Sequence, residues 1–349
     1  MKRSLLIDGV KVLASQLIVL HHLALYSPMT EWLAERWPAL VDFMTEEGRL
    51  AVQPFLVIAG YLAAQSLSRR EPREFCRPLF QRYLRLMPQL LIALLLVVGA
   101  TWLVGDALAG EDWVSPLPSL GVFLAHVFFL QDILGIPSIS AGAWYVAIDL
   151  QLFGLFLLLA RWSRQAGVPL GESSAPTVVA VLTMASIHFF SRQPLLDAWA
   201  LYYLSAYGLG ALVAWARSSP KASSWLLVTT GLLLIDWASA PRERPLLALG
   251  TALLLYGFAQ LDWSRVSQRL HRLIATWSDA SYSVFVCHFA VIILVSGWWM
   301  KLGLDSEGAA LGLFLLAWLG ALLVGWCVWR VTEQALARRR VGSGNPVLR

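Results

Sequence analysis

The 349-residue chain is 58% hydrophobic and 14% charged, with 17 Trp and a net charge of +5. Soluble domains carry about a quarter of their residues charged, so this composition excludes an ordinary soluble fold, and so small a net charge marks no nucleic-acid footprint. Cys76, Cys287 and Cys327 are scattered without ligand spacing, giving neither a disulfide framework nor a metal site.

Apolar stretches long enough, or nearly long enough, to span a bilayer lie at about 5–26, 49–67, 83–104, 142–162, 175–191, 199–217, 224–239, 245–261, 280–300 and 307–330. Another, 118–134, is apolar but short and contains His126 and Asp132. Lys2-Arg3 precedes the first run as in a signal peptide. That run carries Asp8 and Lys11 and has no small-residue cleavage site, so it reads as a retained helix.

Positive charge decides the count. Ten spans with both termini inside collect Lys2, Arg3, Arg69, Arg70, Arg73, Arg77, Arg82, Arg85, Arg161, Arg164, Arg217, Lys221, Arg265, Arg269, Arg272 and Arg338–Arg340 on the cytoplasmic face. Outside remain Arg36, Arg49, Arg192, Arg242, Arg244 and Lys301 with most of the acids. An eleventh span at 118–134 inverts everything after it, so this segment reads as re-entrant or interfacial. The expected fold is an all-α polytopic membrane bundle of about ten helices, one domain over 1–341, with 342–349 a disordered cytoplasmic tail. No internal repeat is visible.

The first span is the least ordinary. Eleven residues turn roughly 1,100°, so Lys11 and His22 share a helix face, with Asp8 and Ser15 close to it. A charge at the bilayer centre costs at least ~2.5–3 kcal/mol, so this face is expected to line a protein site. Lys11 falls in the inner half and His22 about 16 Å further out. His22 is suited to take a proton from a hydroxyl; it reads equally as a buried histidine bonded to a neighbouring helix. His21, about 100° away, reads as structural.

In the third span Arg82 and Arg85, at i and i+3, project on one face near the cytoplasmic boundary, either as a phosphate clamp or as ordinary positive-inside residues. The fourth span holds Trp144, Asp149 and Gln151, and Asp149 is expected at a depth comparable with His22, where an intramembrane carboxylate needs a partner. In the ninth, Ser281 and Tyr282 sit at the inner mouth, Ser283 reads as structural, and His288 lies near mid-membrane with its role open. His126 and His188 have no companions and read as packing residues.

Together these pieces resemble the acyltransferase-3 family of integral-membrane O-acyltransferases, over essentially the whole chain. Asp8-Gly9-Val10-Lys11 through His22 is similar to the family's opening pattern, and Pro54-Phe55-Leu56-Val57-Ile58-Ala59-Gly60-Tyr61-Leu62 to its aromatic run ending in Ser-Gly-Tyr-Leu. Arg82-x-x-Arg85-x-x-Pro88 resembles its double-arginine element, Trp144 to Phe153 its Trp…Glu…Phe-Tyr helix, and Ser281-Tyr282…His288 its late Ser-Tyr…His helix. Four positions depart: Lys11 for Arg, Ala59 for Ser, Asp149 for Glu and Gly154 for Tyr.

The resemblance implies transfer of an acyl group, most often acetyl, from cytoplasmic acyl-CoA to a hydroxyl of an envelope or exported glycan, free or lipid-linked. It implies a multi-pass protein of a bacterial-type inner membrane with no tightly bound cofactor or metal; the donor is a substrate. His22 would be general base or transient acyl carrier, and Asp149 would orient His22 or the acceptor. Lys11, Arg82 and Arg85 would hold the donor, with Asp8, Trp144, Ser281, Tyr282 and His288 in support. Two rivals stand beside it: a transporter of a polysaccharide intermediate or other solute, and a catalytically inactive relative. The sequence leaves the acceptor, the acyl chain and the oligomeric state open.

Overall fold

A computed structural model describes residues 3–70, 75–165, 167, 170–263 and 266–342. Lys2, Arg73, Arg265 and the tail beyond Gly342 lie outside the described residues, as do the side chains of Arg69, Arg70 and Arg338–Arg340.

Among the described residues the chain is helical without strands. α1 (Leu5–Tyr26) leads to the short α2 (Met29–Arg36) and α3 (Pro38–Asp42), and further helical turns join these to α4 (Val52–Arg70). α5 (Cys76–Val104), α6 (Leu120–Val127), α7 (Ala143–Gln165) and α8 (Ala175–His188) follow. The rest is α9 (Ala200–Ala216), α10 (Pro220–Ser239), α11 (Glu243–Phe258), α12 (Gln268–Leu302) and α13 (Glu307–Gly342). Local sequence sets several boundaries. Ser219 caps α10 ahead of Pro220 at its first turn, Ser267 caps α12, and Gly303 ends α12 at φ 57°, a left-handed position that glycine adopts without steric cost.

Among the described residues seven helical segments are long and apolar enough to cross a membrane: α1, the run from α3 through α4, α5, α7, α10, α12 and α13. α8, α9 and α11, with 14, 17 and 16 residues, reach only about 21–26 Å against a hydrocarbon core of about 30 Å. The expectation of about ten spans therefore resolves into seven helices of spanning length and three shorter ones alongside them. The apolar stretch 118–134 contains the eight-residue α6 followed by turns, not a spanning helix.

α12 is the axis on which the site is built. It packs against α1, α5 and α13. α13 runs antiparallel to it, with Gly325 against Val284 and Gly320 against Val291. Arg3 reaches Ala275 and Asp279 near the start of α12. The start of α1 and the end of α13 therefore share one end of the bundle, here the near end. α4 and α9 run parallel: Ser68 accepts from the Trp215 indole at 3.1 Å, and Gly60 lies against the Tyr207 carbonyl and Gly210 against the Val57 carbonyl. Small residues at such crossings let backbones approach where lipid supplies no hydrophobic drive.

A methyl group at Gly210 would overlap a backbone oxygen that cannot turn aside, whereas Gly231 of α10 has open space. Gly210→Ala is expected to lower the thermal midpoint of the detergent-solubilised protein by several degrees, in line with about 1–3 kcal/mol for overpacking. Gly231→Ala should leave it unchanged or raised; equal midpoints for both variants would refute this account of the α4–α9 crossing.

Candidate active site

The near end of α1 is tied to α12 by charge. The Asp8 carboxylate accepts from Arg3 at 2.5 Å and from the Ser278 hydroxyl at 2.6 Å, while Arg3 also reaches Asp279 at 2.9 Å. Lys11, three residues on, donates to the Ser278 carbonyl at 2.9 Å. Arg85 is exposed on α5 and acts electrostatically on Lys11. A cationic pair, Lys11 and Arg85, thus stands at this end with neither group in an ion pair among the described residues.

Further along the same face of α1, His22 meets His288. The two ring planes are nearly parallel, 5° apart, and His22 Nδ1 lies 2.7 Å from His288 Nε2. The Phe285 carbonyl lies 2.6 Å from His288 Nδ1. A carbonyl can only accept, so His288 Nδ1 carries the proton and its Nε2, in the neutral ring, is an acceptor. His22 Nδ1 must then be the donor, which leaves the lone pair on His22 Nε2. That atom has no hydrogen-bond partner among the described residues. The arrangement is a base held in one tautomer by a second histidine, itself held by a backbone carbonyl. Both residues are buried, His22 at 7% exposure and His288 at 0%, with Tyr26 stacked on His22 at 5.5 Å.

Asp149 does not join this pair. It receives a bidentate guanidinium from Arg82, with bonds of 2.9 and 2.6 Å, and Arg82 also lies 4.5 Å over the Phe153 ring. Two expectations are corrected here. Asp149 is not level with His22, because the connection before α7 folds into the bundle. Gly142 abuts the Phe285 carbonyl, and Asp149 follows two helical turns deeper. The helical rise then separates Asp149 from the histidines by roughly 15 Å along the axis. Nor do Arg82 and Arg85 act as a pair on one face. Arg82 turns inward to Asp149 and Arg85 stays outside. Arg82 Nη1 keeps no partner among the described residues, and Tyr145, Tyr207 and Tyr282 lie around the ion pair.

The remaining candidates have structural bonds. The Ser281 hydroxyl donates to the Ser278 carbonyl, Tyr282 to the Leu86 carbonyl, and Ser283 to Gln89. Trp144 stacks on Tyr203 at 5.2 Å. His21 bonds the Met44 carbonyl, 3.1 Å away. His126 donates to the Val122 carbonyl and accepts from the Ile139 amide. His188 bonds Asp236, which also holds Arg192 and Arg242. At Gly154 an added methyl would meet Leu79 and Phe75 at ordinary contact distance, so the site is closed by α5 where a tyrosine would otherwise project. Sequence reasoning passed over Tyr145, Tyr207 and the Asp236 cluster. A carboxylate inside the apolar stretch 224–239 was the available signal for the last, since such a group needs a partner.

The polar face of α1, the histidine pair between α1 and α12 and the buried Arg82–Asp149 pair all fall within residues 5–330, the stretch matched by the acyltransferase-3 family model, an acyltransferase domain. The chain belongs to the acyltransferase-3 family. It is accordingly a multi-pass membrane protein of an acyltransferase family. The comparison with curated proteins finds similarity to a regulator of hypoxia-inducible factor 1 from Caenorhabditis elegans, 30% identical over 110 residues. That match covers 30% of this chain and 21% of the relative, so the chain spans about a fifth of the relative's length. No solved structure matches.

Proposed function

We propose that this protein transfers an acyl group, acetyl in the simplest case, from acyl-CoA at the near end to a hydroxyl of a glycan presented at the far end. The near end is then cytoplasmic, and the membrane is the inner membrane of a bacterial-type cell. The observation that carries this reading is the unpartnered Nε2 of His22, fixed as a proton acceptor by His288 and the Phe285 carbonyl. Lys11 and Arg85 offer positive charge to the donor's phosphates, and the roughly 16 Å from Lys11 to His22 is bridged by the extended arm that joins phosphates to thioester.

In the reaction the acceptor hydroxyl gives its proton to His22 Nε2 as its oxygen attacks the thioester carbonyl. The carbon–sulfur bond breaks and the leaving thiolate takes that proton from the His22 imidazolium, so one group serves as base and then acid. Arg82, held by Asp149, presents Nη1 as a fixed donor at about the depth of Lys11. Asp149 acts through Arg82, and His288 is a positioning residue.

Membrane vesicles containing the protein, given radiolabelled acetyl-CoA and an envelope glycan fraction, should show acceptor-dependent transfer of label. Solute flux without any transfer would overturn the proposal in favour of a transporter. His288→Phe should lower the rate by about 10–100-fold and shift the acidic limb of the pH–rate profile. His288→Gln, which keeps an acceptor for the His22 proton, should retain more of the rate. An unchanged profile in both variants would remove His288 from the mechanism.

A further inference from the structure

A second polar site lies at the far end, on the side of α4, α9, α10 and α11. It is a cavity of about 390 Å³ whose lining includes Arg49, Arg242 and Arg244 against a single acid, Glu243. Three guanidiniums and one carboxylate leave the lining with a net charge of +2. Arg242 is fixed by Asp236 at 2.8 Å, and Arg49 is shared between Glu46 and Glu243 at 3.6 and 3.8 Å. Arg244 is different: its one bond, 3.4 Å, is to the Tyr202 hydroxyl, and among the described residues it has no carboxylate partner.

The uncharged part of the lining is equally specific. Gln53 is 7% exposed, lines the cavity, and its amide makes no hydrogen bond among the described residues. Its amide opens on the cavity, so its donors and acceptor are available to a bound polar ligand. Tyr203 and Trp237 add aromatic faces with polar edges, and Trp237 is 40% exposed. Flat apolar faces beside convergent donors suit a sugar ring, whose axial C–H groups are apolar and whose rim is hydroxylated. The volume falls near the lower end of the roughly 300–1,000 Å³ usual for small-molecule sites, enough for a terminal unit and not for a chain. The guanidinium fork pairs bidentately with carboxylate or phosphate.

The cavity is linked to the histidine pair through packed side chains. Tyr203 stacks on Trp144, Trp144 meets Tyr145 edge-on at 6.1 Å, and Tyr145 packs on Phe285 at 5.3 Å. Phe285 is the residue whose carbonyl orients His288. On the other side Gly48, next to Arg49, lies against His21, and the His21 ring is 5.0 Å from that of His22.

From these placements we infer that the cavity binds an anionic sugar unit, one carrying a carboxylate or phosphate, at the far face of the bundle. Arg244 and Arg49 supply the charge recognition, and Gln53, Tyr203 and Trp237 hold the ring. That this unit belongs to the acyl acceptor rests on the acyltransferase reading above; the binding itself does not.

The test is titration of tetragalacturonate, with neutral maltotetraose as comparison, into protein held in phosphatidylcholine nanodiscs, read by tryptophan fluorescence. Wild type should bind the acidic oligosaccharide at least tenfold more tightly, and Arg244→Ala and Arg49→Ala should each remove most of that preference. Both residues are exposed, so the variants should fold. Arg36→Ala, on exposed α2 surface outside the cavity, should bind as wild type. Equal binding of the two oligosaccharides, or a preference untouched by Arg244→Ala, overturns the inference. Competition by phosphatidylglycerol added to the nanodiscs also overturns it, by making the occupant a lipid headgroup. His22→Ala should keep the preference, so loss of acyl transfer with intact binding separates failure of the catalytic reading from failure of this one.

Discussion

Replacing His22 by Ala is expected to lower acyl transfer by about 10²–10⁴-fold, the usual worth of a general base, while the protein still folds and inserts. The physical reason is the loss of the lone pair on His22 Nε2: the substitution frees His288 Nε2, but that atom is held by the Phe285 carbonyl contact on α12, set back from the position of His22 Nε2 by the depth of the missing ring. His21→Ala provides the matched control. His21 is half a nanometre from His22 by ring centroid, 5.0 Å, but its Nδ1 is bonded to the Met44 carbonyl, so its loss should cost some stability and leave most of the activity. The measurement is label transfer from radiolabelled acetyl-CoA in vesicles, normalised to folded protein by size-exclusion chromatography. Wild-type rates in His22→Ala would sink the assignment. If His22 instead carries the acyl group covalently, wild type trapped before acceptor addition should retain label on the protein, and His22→Ala should not.

The second large effect concerns Arg82 and Asp149. Removing one partner of a buried ion pair leaves an uncompensated charge and costs about 3–5 kcal/mol. Asp149 has a side-chain exposure of 7%, so Arg82→Ala should destabilise the protein on that scale and lower its yield. Arg82→Met combined with Asp149→Leu replaces both charges by apolar groups of similar size, a change that is often neutral or stabilising, and should recover the thermal midpoint to near wild type. Activity should not recover with it, since the donor group at Arg82 Nη1 is gone, and the KM for acyl-CoA should rise. A double variant with normal KM and turnover would reduce the pair to a structural tie. A double variant as unstable as Arg82→Ala would show that the Phe153 stacking and the surrounding tyrosines, more than the ion pair, set the stability here.

Part of the candidate site's geometry is legible in the sequence. The spacing of eleven residues between Lys11 and His22 places both on one helix face by rotation alone, and in the structure both turn to α12, Lys11 at Ser278 and His22 at His288. Asp8 carried the same signal and meets Arg3 and Ser278. What rotation cannot supply is the partner on the other helix. Counting residues from the apparent outer end of its span puts Asp149 at the depth of His22 only if the span begins at the membrane surface. The connection after α5 instead descends into the bundle before α7 starts, and every depth along α7 shifts with it.

The sequence by itself determined the membrane class, the all-helical architecture, the family, and which faces of α1 and α12 carry polar groups. The family rests on the resemblance of its motifs; the others follow from composition, run length and helical periodicity, all of them properties of a chain segment and its solvent. Tertiary structure alone decided which polar groups meet: His22 with His288, Asp149 with Arg82, and Arg49, Arg242 and Arg244 around one cavity. It also decided that, among the described residues, seven helical segments have the length and apolarity to cross a bilayer. The physical reason is that hydrogen bonds and ion pairs act over about 3 Å, whereas the residues that form them here are separated by 67 positions for Arg82–Asp149 and 266 for His22–His288. No local pattern encodes a contact at that separation. It is set by how helices cross, and helices cross where glycines such as Gly60 and Gly210 let backbones touch.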